Sequence, residues 1–382
     1  MLFRNTATLE NIDRFPVRAP FADYWLTSYS IVSLPALSSL YIHDKESYDE
    51  LDLALNPVST GAYVVTDYVV NSHIYLEARD GYWGPEPAIK NINFIFLNED
   101  SQRVNALTTG DADVARIPIQ EVGYIETLGN YDVRRVNAAQ ASTAYFNITE
   151  GEPLDSLEAR MAVMHAIDRQ AIVDMAFDGQ TTIPRWPLSE YNVDFEERMA
   201  NMHEVYSIGY DPVRAKALAE QSGLTGKTLR IAINGQSDNV TIAEIMQNCF
   251  EEIGVNSQII SFDQATYFSL LMDESNFDIG LYFIASPDGF AVDCFFMYPQ
   301  FFTLGWTGPE RDYYLGLGAQ GVGIADQSKR SDILYEQATI FSQLHLWYAL
   351  TEYVNVNVVA KGLVGVDFYL NGTSNYTNWA WS

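Results

Sequence analysis

Residues 228–284 constrain the fold more than any other part of this chain. Three strand-like runs, at 228–233, 255–261 and 277–284, alternate with two segments of helical period. In the first helical segment Ile242, Ile245, Met246, Cys249, Phe250 and Ile253 fall on one face, Asn239 is the expected N-cap, and Gly254 is the stop. In the second, Asp263 is the expected cap of a helix that runs through Met272. A β-α-β-α-β order calls for a parallel sheet covered by helices, because each parallel crossover needs a helix that packs back on the sheet. Ligands of such sheets bind beyond the carboxyl ends of the strands. Three segments leave those ends: Asn234-Gly235-Gln236-Ser237, Phe262-Asp263 and Ala285-Ser286-Pro287-Asp288. Asn234, Gln236 and Ser237 carry amides and a hydroxyl suited to a polar ligand, although an ordinary turn capped by Asn239 accounts for the same residues.

The rest of the chain is read around this block. At 62–68 and 73–79 two strand-like runs flank the turn residues Asn71-Ser72, a hairpin pattern. A strand follows at 91–97. A helix is expected from an Asp100 cap to a Gly110 stop, and two strands at 131–136 and 143–147. Residues 153–179 read as helical, with an Asp155-x-x-Glu158 capping box, Leu157, Met161 and Met164 on one face, and a second start at Asp168. Asp211-Pro212 opens a further helix that Gly223 closes. The stretch 285–325 reads as loops, 326–346 as a helix and 353–360 as a strand. Near the start, 13–17 reads as a short strand, and an apolar segment at 25–41 is broken by Pro35.

Composition excludes several classes of function. With 50 acidic and 22 basic residues among 382, the net charge is −28, which repels nucleic acid and anionic membrane surfaces. At 48% hydrophobic and 13% aromatic, the chain has ample material for a core and is not a disordered one. No run approaches the roughly 18 apolar residues of a membrane span. Cys249 and Cys294 permit at most one bridge.

Several motifs then occur in a fixed order: Pro57-Val58-Ser59-Thr60-Gly61-Ala62-Tyr63, Asp80-Gly81-Tyr82-Trp83-Gly84, Arg103 to Gly110-Asp111-Ala112-Asp113, Phe146-Asn147, Pro153-Leu154-Asp155, Ala166-Ile167-Asp168-Arg169-Gln170-Ala171-Ile172-Val173, and Tyr210-Asp211-Pro212 to Gly223-Leu224. Together, over roughly residues 10–360, they resemble the oligopeptide/dipeptide/nickel-binding family (family 5) of ABC-importer solute-binding proteins. The resemblance implies an α/β, two-lobed fold of the type II periplasmic-binding-protein kind, with hinge strands near 146–147 and 355–358. It assigns 51–145 plus 356–382 to lobe I, 146–355 to lobe II and 1–50 to the remnant of a small N-terminal lobe. The family's leader and most of that small lobe are not matched, so the chain is expected to be N-terminally truncated. The implied protein is a monomer with no enzymatic activity and no cofactor. It captures peptides between its lobes, in the periplasm or at the outer face of the cell membrane, for an ABC permease. A nickel chelate or an oligosaccharide is the alternative ligand.

The family's G-W-x-x-D segment reads Phe283-Ile284-Ala285-Ser286-Pro287-Asp288 here, with Ile284 in place of the tryptophan. By resemblance, Asp288 pairs with a ligand ammonium, with Ser286 beside it and Asp293 as the alternative acid; a charge-assisted bond in a poorly hydrated site supplies the affinity. Tyr145, Trp186, Trp306 and Phe290 are candidate pocket walls, although most aromatics at such positions are simply core. Gly316-Leu317-Gly318-Ala319-Gln320-Gly321 fits G-x-G-x-x-G but follows no strand, so a loop is the better reading than a dinucleotide site. The five histidines are scattered, without metal-ligand spacing.

Overall fold

The computed structural model describes residues 60–206, 208–263, 266, 267, 269, 270, 277–285, 291, 294, 295, 303–321, 324, 326–368 and 374–382, and only the backbone at 10, 11, 17, 18 and 203. Asp288, Ser286, Phe290 and Asp293 fall outside this set, as do most of 1–50 and the segment at 25–41. The chain divides into two units, Met1–Ser33 with Asn137–Val354 and Leu34–Val136 with Asn355–Ser382.

Near the start, β1 (Glu10–Asn11) pairs antiparallel with β2 (Val17–Arg18). In the second unit, β3 (Tyr63–Val69), β4 (His73–Ala78) and β5 (Asn91–Ile95) form an antiparallel meander. The β3–β4 turn puts Asn71 at φ 59°, the left-handed region that asparagine tolerates. Helix α1 (Asp100–Thr109) starts one residue earlier than its sequence suggests. Glu99 is the N-cap, its N–H donating to the Gln102 side chain, while Asp100 sits in the first turn and pairs with Arg103. Gly110, at φ 78°, ends the helix. Then come β6 (Val114–Ile117) and α2 (Val122–Leu128).

Strand β7 (Tyr131–Phe146) passes from the second unit into the first without a break. Two strands were expected here because 137–142 is rich in Ala and Asn, which have little strand preference. Ala138, Ala139 and Ala141 are instead fully buried, and small side chains suit a strand covered on both faces.

In the first unit α3 (Leu157–Ala166) is capped by Ser156, which accepts from the Ala159 N–H at 3.2 Å. Asp155 turns back instead to the Gly151 N–H, so the expected Asp155–Glu158 box does not form. Of the expected face, Met164 is buried, Met161 half-buried and Leu157 exposed, and Ala159, Ala162, Val163 and Ala166 are buried beside it. Small residues line this adjoining face because α3 packs against α5 (Pro212–Gln221), which buries Ala215 and Ala219. Between them α4 (Arg169–Ala176) starts at the expected Asp168 cap. Asp211 caps α5, with Pro212 at its first position.

The three strands and the first helix of 228–284 form as expected, and the expected helix from Asp263 through Met272 lies largely outside the described residues. Strands β8 (Thr228–Ile233) and β9 (Asn256–Ser261) pair in parallel, joined by α6 (Ser237–Glu252), and β10 (Ile279–Ala285) pairs parallel to β8 on its other edge. All six apolar residues assigned to the inner face of α6 are buried. Asn239 is not its cap, as described below. β10 pairs antiparallel with β7, so the sheet is mixed.

Residues 309–321, read as a loop, are helix α7 (Pro309–Gly321). Its glycines weaken local helix preference by about 1 kcal/mol each, but Tyr314, Leu317, Gly318 and Gly321 are buried where α7 meets α8 (Gln327–Leu344), and packing decides the conformation. The G-x-G-x-x-G pattern therefore lies within a helix, with no strand-to-helix turn to cradle a dinucleotide. Strand β11 (Trp347–Ala360) is six residues longer at its start than expected and returns the chain to the second unit, where Val356 and Val358 pair antiparallel with β6. The short pair β12 (Leu363–Val364) and β13 (Ala380–Trp381) closes a small core of Val359, Leu363, Val366 and Trp379. The larger core, in the first unit, is aromatic: Phe341 lies 4.1 Å from Trp347, and Phe295 stacks on Trp347 at 6.1 Å. Cys249 and Cys294 are both buried, and neither is in a disulfide.

Candidate functional site

Because β10, β8 and β9 are parallel, their carboxyl ends lie on one side, and β8 in the middle carries the Asn234 loop there. The Asn234 side chain is buried and organises the loop. Its Oδ1 accepts from the Gln236 N–H at 3.3 Å and from Asn239 Nδ2 at 2.7 Å, and its Nδ2 donates to Gln236 Oε1 at 3.0 Å. Asn239 thus sits one turn inside α6, holding the loop from beneath, and Gln236 occupies the cap position. The cap reading failed because Asn239 is flanked by three further polar residues, any of which suits a helix start. Gly235 has φ 76° and faces the Ser261 hydroxyl, so a side chain there would be strained.

Of the three candidates in this loop, Gln236 and Ser237 are exposed at the strand end and Asn234 is not. The neighbouring end, after β9, is closed by Asp263, which accepts from the Thr266 N–H at 3.1 Å and its hydroxyl at 2.5 Å. Ala285 is the last residue of β10. The segment that carries Ser286, Asp288, Phe290 and Asp293 follows directly in the chain, outside the described residues.

The three described aromatic candidates lie in one packed cluster. Tyr145 meets Trp347 edge-on at 5.8 Å, Trp186 lies 5.1 Å from Phe195 and 5.9 Å from Phe295, and Trp306 packs on Tyr314 at 5.0 Å. Each is at most 7% exposed, and each ring is engaged by core neighbours.

Sequence reasoning passed over two charged residues nearby. Arg169 donates to the Pro184 and Ala349 carbonyls at 3.1 Å and lies over the Tyr348 ring at 4.6 Å. Glu352, on β11, is 2% exposed and accepts from Ser189 Oγ at 2.5 Å and the Glu190 N–H at 2.7 Å. Burial pushes its carboxyl up to about 7. An acid inside a run of Trp, Tyr, Leu and Val was the available signal for Glu352. Among the described residues no group of His, Cys, Asp and Glu is arranged to hold a metal, and no helix is long and apolar enough to cross a membrane.

Solved structures of binding proteins share this fold. The oligopeptide-binding protein AppA from Bacillus subtilis, in complex with a nonapeptide, superposes with a TM-score of 0.85 at 16% identity, covering 100% of this chain and 79% of that one. The periplasmic binding protein DppA from Helicobacter pylori, in complex with the peptide STSA, gives 0.82 at 19% identity, covering 98% and 74%. NikA from Brucella suis, in complex with Fe(III)-EDTA, gives 0.79 at 16% identity, covering 100% and 80%. Residues 14–307 match the bacterial extracellular solute-binding proteins, family 5 middle, and the chain belongs to that family. Among curated proteins, the glutathione-binding protein GsiB of Escherichia coli O1:K1 is 24% identical over 266 residues, 69% of this chain and 50% of the relative. The chain thus spans about half the length of the curated relatives it matches.

Proposed function

We propose that this protein captures a peptide-type solute and presents it to an ABC permease, acting by binding rather than by catalysis. Family membership over residues 14–307 carries the reading, and the peptide-bound neighbours favour peptides within it. In this reading Asp288 pairs with the ligand ammonium, with Asp293 as the alternative acid. Gln236, Ser237 and Ser286 supply hydrogen bonds and Phe290 supplies apolar surface, while buried Asn234 shapes the loop and Tyr145, Trp186 and Trp306 pack the core behind it. Residues 51–145 with 356–382 act as one lobe and 146–355 as the other, and the net charge of −28 favours amine-bearing ligands.

Isothermal titration with a tripeptide mixture, with glutathione and with nickel–histidine tests the reading. Heat with peptides is expected, and Asp288→Asn is expected to weaken free-amine peptides about tenfold or more while sparing N-acetylated ones. Heat with the nickel complex and none with peptides favours the chelate reading, in keeping with neighbours solved with Fe(III)-EDTA and Ni(L-His)2.

A further inference from the structure

Glu352 is joined to both ends of an irregular segment, residues 181–190, by four hydrogen bonds. Its main-chain N–H donates to the Thr182 carbonyl at 2.8 Å, and its carbonyl accepts from Thr181 Oγ1 at 2.6 Å. Its carboxyl takes Ser189 Oγ and the Glu190 N–H at the other end. No cation is bonded to this carboxyl among the described residues. The charged group that bears on it most is the like charge of Glu190. Glu190 is itself gripped by Arg185, with Nε–Oε1 at 3.0 Å and Nη2–Oε2 at 2.6 Å, and Arg185 also reaches Glu197 at 2.9 Å. Tyr191 completes the surroundings: burial raises its phenol, and Glu352 and Glu190 add to that. The acid is therefore desolvated, faces another acid, and has its neighbouring arginine committed elsewhere.

We propose that Glu352 is a proton-operated clasp: as the neutral acid it fastens segment 181–190 to β11, and its ionisation loosens that segment. In the neutral form the carboxyl O–H donates to Ser189 Oγ while the other oxygen keeps the Glu190 N–H. Raising the pH releases the proton to water and leaves a buried anion beside Glu190. Opening the segment hydrates that anion and restores its ordinary acidity. The closed form binds the proton more tightly than the open form, so clasping is strongest below about pH 4.5 and weakens up to about pH 7. Over that window the opening constant rises about tenfold per pH unit, then levels off. The clasp sits two residues before the strand leaves the first unit, and the inference does not depend on which solute is bound.

The test is amide hydrogen exchange of the full chain at pH 5.0 and 7.5, corrected for intrinsic rates. Protection over 181–190 is expected to fall on the order of a hundredfold in the wild type and to stay level in Glu352→Gln, which keeps both hydrogen bonds without the charge. A fall of equal size in both proteins, or none in the wild type, overturns the proposal. Carboxyl carbon NMR of the unaltered protein decides independently of any variant. A midpoint near 7 supports the clasp, and a midpoint near the ordinary glutamate value overturns it.

Discussion

Arg230 grips Asp278 with two parallel bonds, Nε to Oδ2 at 3.0 Å and Nη2 to Oδ1 at 2.7 Å, and adds its own backbone N–H to Oδ2 at 2.7 Å. Asp278 is fully buried, at the start of β10, and Arg230 lies on the adjoining β8. The pair welds the two parallel strands at the end opposite the candidate loops. Hydrogen bonding to Asp278 holds the Arg230 guanidinium above its ordinary range. Arg230→Ala leaves a buried carboxylate uncompensated and is expected to cost about 3–5 kcal/mol in urea unfolding. Arg230→Lys keeps the charge but loses the fork, and should recover only part of that.

A second prediction concerns acid. His345 sits between α8 and β11 at φ 48°, with Nδ1 buried and unbonded. Burial, with Arg160, His165 and Arg214 adding repulsion, holds it down to about 4. The unfolded chain therefore takes up the proton first, and the contribution present above about pH 6.5 is lost as the pH falls towards 4. The loss amounts to about 2–3 kcal/mol. His345→Asn, which tolerates the left-handed backbone, should abolish that loss on acidification in a stability curve measured from pH 4 to 8. Glu352 contributes the opposite slope across much of the same range, so each single variant should show a steeper net dependence than the wild type.

A third is steric. Gly305 has φ 83°, and a Cβ there would overlap the backbone of Ile148 and Thr149, where the Ile148 N–H donates to the Leu304 carbonyl at 2.9 Å. Gly305→Ala should lose more than about 2 kcal/mol or fail to fold, read by thermal unfolding. Gly316→Ala, with open space around it, serves as the control and should be neutral or mildly stabilising.

The Asn234 loop separates framework from contact. Asn234→Ala removes three hydrogen bonds of a buried side chain and should cost about 1–3 kcal/mol. Gln236→Ala and Ser237→Ala alter exposed residues and should leave stability within about 0.5 kcal/mol. A change in solute affinity from either of those two, measured by titration, would then report contact and not folding.

Legibility from sequence followed burial. Elements with one strong apolar face, such as 228–261, or with an unambiguous cap, such as those at Asp168 and Asp211-Pro212, are readable because local chemistry and packing agree there. The misreadings share a cause. The alanine run in β7, the small-residue face of α3 and the glycines of α7 each look weak locally and are decided by neighbours distant in sequence. Caps slipped by one to three residues wherever polar residues crowd a helix start, as at Glu99, Ser156 and Gln236. Glu352 was missed because a strand pattern reveals that a side chain is inward but not which donors await it.

The crossing strands have a consequence for synthesis. β6 is made early, yet its partner is the far half of β11, with Ile117 opposite Val356 and Val114 opposite Val359. At about 5–20 residues per second, the ribosome needs on the order of ten to fifty seconds to span that interval. Throughout it the β6 edge waits without its partner strand, while β8, α6 and β9, contiguous in sequence, can already assemble. The vulnerable nascent surface is therefore the early-made unit, and aggregation or proteolysis during translation should fall there first.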